Sequence, residues 1–193
     1  MKLDLYALDE RHAPPTAQAS GDLVELVAGP RTDLFRPPDG GPPTLNAPVL
    51  LANLHDGDFV LSAQIEADLK ATFDAGALVL WQDERAWAKV ALELSPEGRA
   101  TVVTVVTRVR SDDCNSVVLD QPRAHLRVAR IGDAFAFHLH AAGRWQLIRH
   151  FFLGTSRVRA GFLAQSPTGQ GCTVRFRHIR VESRRLDDVR DGT

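Results

Sequence analysis

The sequence predicts an all-β protein, one domain over residues 1–193 folded as an antiparallel two-sheet β-sandwich. Three observations carry that expectation. Strand-length runs with period-two alternation of apolar residues recur along most of the chain. Glycine, proline and small polar residues separate them at short intervals. No stretch makes a convincing amphipathic helix, since even Asp56–Leu69 places Phe59, Leu61, Ala63 and Ile65 with period two.

The elements follow in order. Residues 1–20 hold a short opening segment closed by Ala13-Pro14-Pro15, and Asp22–Ala28 (DLVELVA) reads as a strand. Pro30–Pro48 includes RPPDGGPP, which belongs in no strand or helix interior because proline removes a backbone donor; a long loop is expected there, densest over 36–48. Strands are expected at Val49–Asn53, Phe59–Ala67, Ala75–Trp81, Trp87–Leu94, Ala100–Val109, Ala124–Ile131, Phe135–His140, Trp145–Phe152, Val158–Gln165 and Thr173–Val181. Ser95-Pro96-Glu97-Gly98, Gly132-Asp133, Ala142-Gly143 and Ser166-Pro167-Thr168-Gly169 supply the turns.

Composition excludes several classes. A chain of this length buries enough surface to need no disulfide staple. The opening MKLDLYALDER lacks the apolar core of a signal peptide, so a cytoplasmic protein with Cys114 and Cys172 as free thiols is expected. No run approaches the ~18 apolar residues of a membrane span. Net charge is −1, which argues against nucleic acid as a partner. The arginines near the C-terminus, Arg175 and Arg177 among them, alternate with Val174 and Phe176 and read as a solvated sheet face.

The segment DAGALVLWQDERAWAKVALEL, Asp74–Leu94, carries the densest information. It reads as a hairpin with a polar tip, with Val90, Leu92 and Leu94 on a core face and Trp87, Lys89 and Glu93 on the other. Lys89 and Glu93 then line one groove with Cα atoms roughly 13 Å apart. Trp87 on that face reads as a packed, partly exposed ring, with a stacking platform for a sugar or peptide as the alternative that keeps it among the candidate ligand residues. Glycoside hydrolysis would need a second carboxyl group about 5–9 Å from Glu93; Asp33, Asp83 and Glu84 are candidates. Glu66-Ala67-Asp68 imitates part of the jelly-roll glucanase signature E-x-D-x-x-E without its last glutamate, and reads as a wet strand face. His138 and His140 share a strand face but lack further ligands at zinc spacing, so no metal or other cofactor is expected. Gly154-Thr155-Ser156-Arg157-Val158 lacks the closing glycine of a nucleophile elbow.

Successive blocks of the chain resemble a known family. LDERHAPPT, GPRTDLFR, GDFVLSAQIEAD, DAGALVLWQDERAWAKVALE, VVTRVRSDD, HLRVARIGDAFAFHLHAAGRWQLIR and VRAGFLAQSPTGQGCTVRFRHIRVES are similar, in order and spacing, to the regulation-of-enolase-like domain of unknown function (DUF1349). The resemblance implies a jelly roll of the concanavalin A-like lectin and glucanase type with one concave face. Asp33, Phe35, Gly76, Asp83, Glu84, Trp87, Lys89, Glu93, Thr107, Ser111 and Asp112 match family positions, whereas Arg36, Trp81 and Asp113 depart from them.

The reading that follows is a binding module. Its expected ligand is a carbohydrate or sugar phosphate on the concave face, held by Asp33, Phe35, Trp81, Asp83, Glu84, Trp87, Lys89, Glu93, Arg108, Arg127 and His138. The alternative is a protein-interaction module regulating a metabolic enzyme such as enolase through the same surface or the 36–48 loop. A glycosidase ranks third, and no catalytic residue is assigned.

Overall fold

Two seven-stranded antiparallel sheets pack face to face. The computed structural model describes residues 4–9, 12, 14, 16–20, 22–52, 54, 56–154 and 157–193. The first sheet runs, in spatial order, β1 (Leu5–Ala7), β6 (Val49–Ala52), β15 (Arg159–Gln165), β8 (Ala75–Asp83), β9 (Ala86–Leu94), β10 (Ala100–Arg108) and β11 (Arg110–Val118). The second runs β14 (Arg144–Phe152), β13 (Ala134–Ala141), β12 (Arg123–Ile131), β7 (Phe59–Ala67), β16 (Cys172–Glu182), β3 (Leu23–Ala28) and β2 (Thr16–Ser20). A small ribbon of β4 (Leu34–Phe35) and β5 (Thr44–Leu45) completes the set, and no α-helix occurs among the described residues. Asn53, Thr155, Ser156 and two residues of the Ala13-Pro14-Pro15 boundary lie outside the described residues.

The expected alternation builds the space between the sheets. Leu78, Leu80, Val90 and Leu92 from the first sheet meet Leu61, Ile65, Leu126, Phe137 and Phe176 from the second. Gly76 leaves room for side chains of the facing sheet, since a Cβ there would collide with Val174 and Ile65. At the β13–β14 hairpin Ala142 and Gly143 take φ of 51° and 76°, the doubly positive geometry of a two-residue hairpin turn.

Two long strands escape the sequence pattern. β2 (TAQAS) and β11 (RSDDCNSVV) close the edges of the two sheets and are largely exposed, so neither needs apolar alternation. Val109, at φ 71°, makes the tight reversal from β10 into β11. Cys114 lies exposed on β11 and Cys172 buried on β16, in different sheets, and both are free.

The outward face of the first sheet is partly covered, a point that the sequence leaves open. Leu34 and Ala47, with Phe35, Leu45, Tyr6 and Leu8, pack over Val79, Trp81, Trp87, Ala91, Val103 and Val105 in a second apolar layer. The proline-rich segment is therefore a flap bound to the sheet. The Arg36 amide donates to Ser111 Oγ (3.0 Å), Arg36 Nε to the Glu84 carbonyl (2.7 Å), and Arg110 Nη1 to the Pro38 carbonyl (3.2 Å).

Candidate functional site

Where the flap ends, the same sheet face carries a cavity of about 210 Å³ lined by Asp33, Phe35, Phe73, Lys89, Glu93, Val103, Val105, Asp113 and Gln165. Four expected residues, Asp33, Phe35, Lys89 and Glu93, meet in it. Strand register explains how: Lys89 on β9 stands opposite Val105 on β10, which stands opposite Asp113 on β11, so one row crosses three strands. Glu93 lies four residues along β9 on the same face, one pleat repeat removed from Ala91.

Lys89 is the anchor of the cavity. Only 2% exposed, it donates to the Leu34 carbonyl (2.8 Å) and to Gln165 Oε1 (2.7 Å) and approaches Asp33 Oδ1 at 3.6 Å. Two of the donors of this buried ammonium are placed in hydrogen bonds and the Asp33 carboxylate balances its charge, while the Leu34 contact ties the flap to the sheet. Glu93 shows the complementary response. Burial raises its pKa from 4.5 to about 7; Lys89 opposes that rise, and the charges of Asp33 and Asp113 add to it. Glu93 is thus held partly protonated near neutrality and can both donate and accept a hydrogen bond.

Phe73 forms part of the wall in an unusual backbone state. It has φ 70° and its side chain is 38% exposed, a combination a bulky residue adopts only when its surroundings enforce it. Here Asp74 enforces it: the buried carboxylate accepts from the Lys70 amide (3.0 Å), the Ala71 amide (2.9 Å) and Ser166 Oγ (2.7 Å). Gln165 Nε2 donates to the Phe73 carbonyl (3.2 Å), linking that turn to the Lys89 network. The sequence reading singles out neither Phe73 nor Gln165. Gln165 has a legible signal, a polar residue sharing a strand face with Leu163; Phe73, in a turn, has none.

The remaining expected residues lie elsewhere. Trp87 is fully buried and Trp81 is 3% exposed, so both belong to the layer beneath the flap and offer no ring to a ligand. Asp83 caps the hairpin tip by accepting from the Arg85 amide (2.7 Å); Glu84 sits beside it, exposed, and Arg108 is exposed at the end of β10. None of the three lines the cavity. Arg127 and His138 are on β12 and β13 of the second sheet, so they cannot share a groove with Lys89. Strand alternation predicts which face of its own sheet a residue takes, but not which sheet. Glu66 and Asp68 also fall on the second sheet, where they pair with Arg123, Arg177 and Arg175 as a wet strand face would. No group of three or more His, Cys, Asp or Glu side chains suited to a metal occurs among the described residues.

Comparison with known proteins fits this architecture. The sequence profile described as "Protein of unknown function (DUF1349)" matches residues 11–184. The chain belongs to this family. No curated protein sequence matches it. A functionally unknown protein from Saccharomyces cerevisiae superposes with a TM-score of 0.82 at 19% identity, covering 95% of this chain and 97% of that one. The carbohydrate binding module CBM66 from Bacillus subtilis gives 0.55 at 14% identity, covering 93% and 95%. The GH43 protein BlXynB from Bacillus licheniformis gives 0.67 at 12% identity over 84% of this chain but 33% of its own, so this chain spans about a third of that hydrolase. At these identities the likeness shows the fold alone, a two-sheet antiparallel β-sandwich.

Proposed function

We propose that this DUF1349 protein is a non-catalytic carbohydrate-binding module whose ligand enters the cavity formed by Lys89, Glu93, Asp33, Asp113 and Gln165. The observation that carries the proposal is a preorganised polar cluster on a rigid sheet beside two phenylalanines. Lys89 donates to Gln165 Oε1 while Gln165 Nε2 donates to the Phe73 carbonyl, which fixes both side chains, Glu93 is poised to donate or accept, and Phe35 and Phe73 supply apolar contact for a sugar face. Likeness in fold to CBM66 supports the class.

Charge selects among sugars. The cavity carries Asp33, Glu93 and Asp113 against the single cation Lys89, so a phosphate would meet repulsion and a neutral sugar is the better ligand. The volume, below the roughly 300–1,000 Å³ of pockets for drug-sized ligands, suits one sugar ring rather than a chain. Docking of an enzyme such as enolase by the 36–48 loop is the weaker alternative, because Leu45 and Ala47 of that loop pack on the sheet. Two free thiols suit a reducing, cytoplasmic setting.

One observation favours a second, hydrolytic reading: Glu93, raised to about 7, has the acidity of a general acid and shares its cavity with two further carboxylates. Calorimetric titration with a panel of neutral mono- and disaccharides separates the two. Binding without turnover, weakened about tenfold in Phe73→Ala, supports the module. Turnover abolished in Glu93→Gln establishes the hydrolase, and no binding by any sugar removes both.

A further inference from the structure

The largest unexplained chemistry lies on the opposite side of the molecule. On the outward face of the second sheet a groove of about 530 Å³ is lined by Ser62, His125, Arg127, His140, Trp145 and Arg180, with Arg184, Glu182, Asp22 and His178 along its sides. The row is set by register: Arg127 on β12 pairs with Ser62 on β7, and Ser62 pairs with Arg180 on β16. A bulge in β16 between Arg177 and Arg180, with His178 at φ 52°, turns Arg180 into this row.

Arg127 is the anomaly. It is a guanidinium only 1% exposed, yet it forms no ion pair among the described residues; Nη1 donates to the Gly192 carbonyl at 2.9 Å, and Cζ lies 4.4 Å from the Trp145 ring centroid. Among the described residues Nε and Nη2 have no hydrogen-bond partner, nor does the buried Nε2 of His125 in the same wall. A buried cation without a close ion pair is costly: burial lowers this guanidinium to about 10, the Arg184 charge adds to that fall, and the more distant Glu182 charge only partly opposes it. The carboxylates of the groove are engaged elsewhere, Glu182 with Arg184 at 2.9 Å and Asp22 with His178 at 3.5 Å. Arg180 makes no ion pair among the described residues.

We infer that this groove binds a tetrahedral oxyanion, a phosphate carried as the free ion or on a small phosphomonoester, between Arg127 and Arg180. The free Nε edge of Arg127 and the Arg180 guanidinium would supply charge-assisted donors, with the Ser62 hydroxyl between them and His125 Nε2 as a neutral donor. The site is independent of the sugar cavity, which opens on the other sheet.

Trp145 is a built-in reporter because its ring rests on Arg127, whereas Trp81 and Trp87 are buried in the first sheet. The test is intrinsic fluorescence of the full chain during titration with inorganic phosphate, glucose 6-phosphate or glucose at fixed ionic strength. A saturable change with phosphate assigns the free ion; one seen only with glucose 6-phosphate assigns the ester. Either should weaken about tenfold or more in Arg180→Gln, an exposed position that keeps the fold, and disappear in Trp145→Phe. Arg127→Met, checked for folding by near-ultraviolet circular dichroism, should abolish it. No saturable response to either phosphate, or an unchanged affinity in Arg180→Gln, overturns the inference.

Discussion

Replacing Glu93 by glutamine removes one titration while keeping shape and hydrogen-bonding capacity, and its consequence can be worked from the cavity. Folded, Glu93 holds its proton up to about 7; unfolded, it releases it near 4.5. The folded state therefore binds the extra proton between those values, so the contribution to stability is fully present below about 4.5 and is lost as pH rises through about 7. Full loss amounts to about 3 kcal/mol. His125 and His138 act in the opposite sense: burial lowers both from 6.5 to about 4, so their contribution is present above 6.5 and is lost as pH falls toward 4. Those histidines are common to wild type and variant and cancel in the difference. Urea unfolding of both proteins between about pH 5 and pH 8 should show Glu93→Gln gaining about 2–3 kcal/mol relative to wild type across the range. A constant offset would mean that Glu93 titrates normally, and the electrostatic account of the cavity would fail.

Three further outcomes follow from packing and burial. Trp87→Ala should lower stability by about 3–5 kcal/mol, seen as a drop of about 10 °C in Tm, because the ring is fully buried beneath the flap. Gly76→Ala should cost about 1–3 kcal/mol by chemical denaturation, since its methyl group would collide with Val174 and Ile65 across the core. In native protein a maleimide should label the exposed Cys114 and spare Cys172, whose thiol is pushed up to about 12 chiefly by burial; equal labelling would contradict the packing of β16.

Much of the architecture was legible because period-two alternation reports half-buried strands directly. β7, β8, β9 and β10 lie where Phe59, Leu78, Val90 and the VVTVV run indicate. The polar edge strands β2 and β11 were not legible, because an edge needs no apolar face. The site was half legible. Lys89 and Glu93 share a face by simple alternation, and Asp33 and Phe35 join them in the cavity, as the matching family blocks suggested. Trp87 packs, as its size suggested, but it is fully buried and not partly exposed, because alternation gives the face and not what covers it; the flap that buries it was read as a loop from its prolines. Arg127 and His138 were joined to Lys89 although their strands pair into the other sheet, a separation set by long-range pairing that local pattern does not encode.

The central claim is that a neutral sugar occupies the cavity between Lys89 and Glu93. Mapping amide chemical-shift changes of the isotope-labelled protein, during titration with the tightest neutral sugar from the panel, tests it most directly. The account predicts shifts concentrated at residues 33–35, at Phe73, along Lys89–Glu93 and at Asp113, with the second sheet unmoved. Shifts centred instead on Arg127, His125 and Trp145, or spread without saturation over both sheets, would contradict it.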